Sequence, residues 1–243
     1  MKITILTLFP GLFQGFLASS ILARAIDRGL ISVTPVDIRE HAAGRHRVCD
    51  DAAYGGGPGM VMKPEPIAAA LEATGSLGRR VVYLTPAGRL YTQALAAELA
   101  RETELVLLCG RYEGVDQRVI DAFVTDEISI GDYVLSGGEV AAMVVVDSIA
   151  RLIPGAITGE SLEEESFASG LLEYPHYTRP EVFRGAGVPD VLLSGHHERI
   201  RQWRLMKSVE KTRRLRPELL NGDSLPVEAR ELIGKMKREG VDT

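Results

Sequence analysis

Between residues 80 and 153 the chain writes one pattern three times: a strand-like run, a glycine-bearing loop, then a run with helical spacing. RVVYL (80–84) leads through TPAGR into TQALAAELARE, and ELVLLC (104–109) leads through GRYEG into VDQRVIDAF. VTDEIS (124–129) leads through IGDYVLSGGE into VAAMVVVDSIARLI. Strands alternating with helices predict an α/β fold: a mainly parallel sheet with helices on both faces, because parallel strands need long crossovers. Earlier segments extend the pattern. KITILTL (2–8) reads as a strand, 13–29 as a helix stopped by Gly29, and 31–38 as a strand that Pro35 marks as an edge; 64–73 is a helix with prolines near its start. The C-terminal ends of parallel strands share one edge, where open α/β sheets bind ligands. The three loops therefore predict one crevice, in which glycine lets backbone groups come close to a ligand.

Outside this core the sequence changes character. Residues 39–62 carry no periodicity and read as a long loop, functional or mobile. After Pro154 a polar, acidic stretch runs over 157–181, and helical spacing returns at 196–216 and 226–239. The predicted organisation is an α/β domain over 1–157, a linker over 158–175 and a small α-helical domain over 176–243. Charge divides along the same line. Residues 196–216 hold eight basic side chains against two acidic ones, although the whole chain has a net charge of −5. Isolated basic runs are usually solvated helix faces, but on an acidic protein this one points toward a polyanion.

Several classes are excluded. No apolar run reaches the roughly 20 residues of a membrane helix. Cys49 and Cys109 are the only cysteines; their spacing argues against a disulfide scaffold or zinc site and for a reducing cytosol. G-x-G-x-x-G, the phosphate loop G-x-x-x-x-G-K-[ST] and the G-x-S-x-G elbow are all absent.

YGGGPGM (54–60), CGRYEGVDQRV (109–119), SIGDYVLSGGE (129–139), DSIARLIPG (147–155) and GLLEYPHYTRPEVF (170–183) together resemble the bacterial tRNA (guanine-N1)-methyltransferase family. The resemblance runs from LFPGLF to RRLRPELL, nearly the whole chain. It implies a trefoil-type knot of the SPOUT class in the methyltransferase domain, an obligate homodimer with sites across the interface, and a C-terminal domain that binds tRNA. The implied reaction moves a methyl group from S-adenosyl-L-methionine to N1 of the guanosine 3′-adjacent to the anticodon, position 37, in the cytoplasm. A SPOUT-type ribose 2′-O-methyltransferase and a non-catalytic RNA-binding protein are the alternative readings.

The resemblance also implies residue roles. The donor would lie among Leu84, Thr85, Pro86 and Gly88 of the first loop, Gly110, Tyr112, Glu113 and Gly114 of the second, and Ile130, Gly131, Tyr133, Val134, Leu135, Gly137 and Gly138 of the third. Guanine N1 must lose a proton before it attacks, so a carboxylate base is needed, and a cation should stabilise the charge that moves to O6. By resemblance the base is Glu165, a glutamate where the family usually has aspartate, with Glu163 and Glu164 as alternatives. The matching cation is Arg151, which read alone would be a helix C-terminal charge. Asp50, His176, Tyr177, Arg179 and the basic helix with Arg213 and Arg214 are the implied RNA contacts. The resemblance also implies Mg2+, with Glu113 and Glu165 as its candidate ligands.

Overall fold

The structure is a computed structural model that describes residues 1–157, 165–167, 169–222 and 225–238. The chain divides into two compact units, Met1–Ile157 and Thr158–Thr243.

The N-terminal unit contains, in order, β1 (Lys2–Thr7), α1 (Gln14–Leu17), α2 (Ser20–Asp27), β2 (Ser32–Asp37), β3 (Asp50–Ala52), β4 (Met60–Met62), α3 (Pro64–Ala73) and β5 (Arg80–Leu90). α4 (Gln93–Leu99), β6 (Glu104–Cys109), α5 (Gln117–Phe123), β7 (Asp126–Ser129) and α6 (Glu139–Leu152) complete it. Five strands form one sheet in the order β2-β1-β6-β5-β7, and every pairing in it is parallel. The expected α/β class is therefore present. Pro35 sits in β2, at the sheet edge, where a missing N–H is tolerated.

The alternation of side chains along each strand divides the core into two layers. Leu105, Leu107 and Cys109 of β6 join Ile3 and Ile5 against α2, α4 and α6, while Val106 and Leu108 join Leu6 and Val81 against α3 and α5. Fully burying a Leu or Ile is worth about 1.5–3 kcal/mol, and apolar residues on both faces commit β1, β5 and β6 to the middle of the sheet.

Three segments differ from the expectation. The helix predicted over 13–29 is split into the 3-10 turn Pro10–Phe13, α1 and α2. The break falls where Ser20 takes a left-handed φ of 55° and Ser19 Oγ donates back to the Gly15 carbonyl at 2.5 Å. Such local bonds compete with the helix. Residues 39–62 are not one loop: a 3-10 turn, Ile38–His41, precedes the antiparallel pair β3–β4. The YGGGPG connection between those strands uses positive φ at Gly55, Gly56 and Gly57. Finally, β5 does not end at Leu84. It resumes pairing with β7 at Arg89 after residues 85–88 bulge out.

In the C-terminal unit the helices His197–Leu215 and Val227–Arg238 match the two helical runs in the sequence. Leu171, Val209, Leu225 and Ala229 form its buried centre. Thr212, fully buried, donates to Ser208 O at 2.7 Å and accepts from Leu172 N at 2.9 Å, which ties the preceding segment to the long helix. The short hairpin Val182–Phe183/Ala186–Gly187 and the helix Asp190–Leu193 have no counterpart in the sequence reading; two-residue strands carry no periodicity to detect.

Candidate active site

The bulge of β5 and the C-terminal ends of β6 and β7 surround a cavity of about 370 Å³. Its wall consists of residues from three loops, 84–87, 110–114 and 130–138, with Tyr83, Ile128 and Ala141 behind them. Of the residues expected to hold the donor, Leu84, Thr85 and Pro86 line it from the first loop and Gly110, Tyr112, Glu113 and Gly114 from the second. Ile130, Gly131, Tyr133, Val134, Leu135, Gly137 and Gly138 line it from the third. Gly88 does not. A Cβ there would lie 2.3 Å from Ile128 N, so Gly88 is where the β5 bulge presses onto the β7 backbone.

The loops are narrow because backbone meets neighbour directly. A Cβ at Gly110 would stand 2.8 Å from the Tyr83 ring, and one at Gly138 2.8 Å from Cys109 Cα. Gly131, at φ 153°, carries a turn in which Ser129 Oγ donates to its carbonyl at 3.0 Å and Tyr133 N does so at 2.9 Å. The β3–β4 hairpin braces the second loop: Glu113 N donates to Met60 O at 2.9 Å and Met62 N to Gly114 O at 2.9 Å. The Glu113 carboxylate lies where a side chain on Gly59 would be, with Oε1 2.4 Å from that position.

Four groups around the cavity were not singled out from the sequence: Tyr83, Cys109, Arg111 and Glu139. Burial pushes the Tyr83 phenol up against the lowering effect of its bond to Thr85, and it pushes the Cys109 thiol up strongly, with Glu139 adding to the effect. Both therefore stay neutral at physiological pH and neither supplies a base or nucleophile. Glu139 is 1% exposed at the first position of α6 and pairs with Arg111. The available signal was a carboxylate directly between a glycine loop and an apolar helix.

The expected catalytic residues are not beside this cavity within the N-terminal unit. Arg151 is in the last turn of α6, twelve residues after Glu139, or about 18 Å along the helix. The chain that follows it lies at the opposite sheet edge, where Arg28 Nη1 donates to Gly155 O at 2.7 Å. Glu165 belongs to the other unit, half-buried at the start of a turn in which Phe167 N donates to Leu171 O at 2.8 Å. Glu163 and Glu164 lie outside the described residues.

Asp50 opens β3. His176 bonds Glu173 at 2.8 Å, and its ring stands 4.7 Å from Tyr174; Tyr177 stands 6.3 Å from Trp203, and Arg179 precedes a cis proline. On the basic helix, Arg201 pairs with Glu198 and Glu228, Lys207 pairs with Glu210, and Lys211 donates to Glu173 O. Arg199, Arg213 and Arg214 form no ion pair with a described residue and are the free cations of that helix. Among the described residues no three His, Cys, Asp or Glu side chains form a metal-holding group, and no helix is long and apolar enough to cross a membrane.

A family model described as tRNA (Guanine-1)-methyltransferase TrmD matches residues 1–222. Proteins named tRNA (guanine-N(1)-)-methyltransferase are similar over almost the full length. That of Pelotomaculum thermopropionicum is 56% identical, covering 97% of this chain and 96% of its own. That of Geobacter sulfurreducens is 53% identical with 99% of both chains covered, and that of Treponema denticola 54% with 90% of both.

Proposed function

The chain belongs to the tRNA (guanine-N1)-methyltransferase family, and from that premise we propose that it methylates N1 of guanosine 37 in tRNA with the three-loop cavity as its S-adenosyl-L-methionine site. One observation carries the assignment of the site. Three successive loops meet around one cavity whose wall includes Gly110, Gly114, Gly131, Gly137 and Gly138, with apolar residues Leu84, Ile128, Ile130 and Ala141 beside them. Such a wall suits a donor with a flat base and polar edges, and about 370 Å³ is within the usual range for small-molecule sites. The crowding of loops 84–88, 110–114 and 130–138 also supports carrying over the family's trefoil-type knot.

When bound, the donor would supply an electrophilic methyl group on a sulfonium sulfur, with a neutral thioether as the leaving group once N1 takes the methyl. The protein's tasks are then to take the N1 proton and to hold the charge that collects on O6. We assign the first to the Glu165 carboxylate and the second to the Arg151 guanidinium. A positioned base is worth about 10²–10⁴ in rate, and a fixed cation at the developing oxyanion adds to this without reorganising. Mg2+ takes one or two carboxylates and keeps its waters; Glu113, on the cavity wall, is its candidate ligand, with Glu165 second.

A single N-terminal unit separates Arg151 from the cavity by the length of α6, which supports the homodimer. Val140 and Val144 are 54% and 42% exposed on α6, and Arg151 follows on the same face at helical spacing. A second copy packed antiparallel on that face by a twofold axis would cover the valines and bring its own Arg151 to the cavity end. The linker and helical C-terminal domain would then serve the neighbouring copy's site and its tRNA. A tRNA substrate supports a cytoplasmic location.

Labelled donor and unmodified tRNA transcripts test the function directly. The expected product is 1-methylguanosine at position 37; a 2′-O-methylated ribose, or tight donor binding without transfer, would overturn the reading. For the basic helix, Arg213→Ala/Arg214→Ala should weaken tRNA binding and shallow its dependence on log salt by about 1–2 units of slope, since each phosphate contact releases about 0.9 of a counterion on a duplex. Donor affinity should not change. An unaltered slope would return these arginines to the role of solvated surface charges.

A further inference from the structure

We propose that Arg111 and the buried Glu139 form a strut that holds the second and third loops at the spacing the cavity requires, anchored from behind by Thr7. The role is one of positioning; neither residue is assigned a part in the chemistry.

The strut joins three separate pieces of chain. Thr7, the last residue of β1 and fully buried, donates from Oγ1 to Glu139 Oε1 at 2.8 Å and accepts from Phe9 N at 2.9 Å. Arg111 Nε stands 3.1 Å from Glu139 Oε2 and 3.4 Å from Oε1, and Nη1 donates to the Ser136 carbonyl at 3.0 Å. The N–H of Nε is aligned on Oε1, so Oε2 accepts no hydrogen bond from the described residues and is held by charge. The guanidinium also lies 4.4 Å over the Phe9 ring. Between these groups Arg111 and Gly137 form an isolated antiparallel bridge, and Gly138 N donates to Gly110 O at 2.9 Å.

The space is filled completely. A Cβ on Gly137 would stand 2.3 Å from Arg111 Nε and 2.6 Å from Glu139 Oε2, so the pair occupies the volume a side chain would need. Arg111, Ser136, Gly137 and Gly138 are cavity wall, whereas Glu139 is not: it sits behind them. A carboxylate at the first position of a 14-residue helix is favourable to the helix dipole. Yet burying an ion pair is a weak source of stability, often no better than an apolar replacement of equal volume. Geometry is the better account. A fork that bonds a carboxylate on one side and a loop carbonyl on the other determines where that carbonyl lies, and the wall with it.

The inference rests on the donor assignment for its affinity readout, and a second readout is independent of it. The test compares full-length wild type with Glu139→Gln, Arg111→Lys and the double variant Arg111→Met/Glu139→Gln. The double variant matters most, because it removes both charges with volumes nearly kept and leaves no lone buried ion. Thermal midpoint, S-adenosylmethionine affinity by calorimetry and amide exchange over 131–138 in the ligand-free protein are measured for each. The double variant should keep a near-wild-type midpoint, lose donor affinity by about tenfold or more, and exchange faster over 131–138 than over the remaining sheet. Arg111→Lys, which retains charge but not the fork, should share the affinity loss. Wild-type affinity and exchange in the double variant would overturn the proposal. So would faster exchange spread evenly over the N-terminal unit, the pattern of a general loss of stability. If wild type itself bound no donor, the donor assignment would fall and the exchange comparison would still decide the strut.

Discussion

Glu165→Gln is expected to lower single-turnover methyl transfer by about 10²-fold or more while tRNA and donor affinities stay close to wild type. Gln keeps the size and the hydrogen-bonding reach of Glu but cannot accept the N1 proton as a carboxylate does. The residue has a firm base for this task. Ser166 Oγ, next in sequence, accepts from Glu173 N at 3.0 Å, and the turn closes onto Leu171, which is 3% exposed in the C-terminal unit's core. Glu165→Asp should retain part of the activity, since charge survives while reach shortens by a methylene. Glu163→Gln and Glu164→Gln should have small effects. Single-turnover rates that fall for Glu164→Gln and hold for Glu165→Gln would move the base one residue earlier in the acidic run.

Gly131→Val should abolish S-adenosylmethionine binding in a folded protein. Valine is strongly disfavoured at φ 153°, and its Cβ would meet Tyr133 Cε1 at 2.4 Å, inside the wall of the cavity. Backbone strain of about 1–3 kcal/mol and overpacking of a similar size correspond to about 10²-fold or more in affinity. The obstructing group is an exposed side chain, so the third loop can deform while the sheet stays intact. Gly138→Val is not equivalent: its Cβ would press on the backbone of Cys109, at the buried end of strand β6, and the fold itself should suffer. Mixing Gly131→Val with Glu165→Gln tests how the site is assembled. If donor loops and base come from different copies, hybrid dimers contain one intact site and regain part of the activity. Hybrids as inactive as their parents, or a fully active monomer in sedimentation, would end the cross-subunit reading.

Much of the N-terminal unit was legible because its strands are buried on both faces. ELVLLC (104–109) is apolar after Glu104 and became a central strand, whereas the polar alternation and Pro35 of 31–38 marked an edge. The three glycine loops could be placed at one sheet edge because parallel connectivity leaves no other arrangement for strand ends. Short elements escaped. β3 and β4 have three residues each, too few for a period, and only their pairing defines them. The bulge that carries β5 past Leu84 to Leu90 is likewise a property of its register against β7.

For the site, residue types in order along the chain determined which loops could form a cavity, and the resemblance carried by those motifs determined the chemistry to look for. Both are local or pairwise properties of sequence, recorded wherever a backbone needs glycine or a reaction needs a carboxylate. Tertiary structure alone decided that Gly88 serves the β5–β7 contact and not the cavity wall. It alone showed Arg111 and Glu139, 28 residues apart, closing into an ion pair behind that wall, with Thr7 bonded to Glu139 across 132 residues of chain. It alone put Arg151 at the far end of α6 from the loops. The physical reason is common to all three. A buried charge needs its partner within hydrogen-bonding distance, and a helix sets how far apart its ends lie, but which groups meet is decided by the order in which strands assemble, and that order is not written in any one segment.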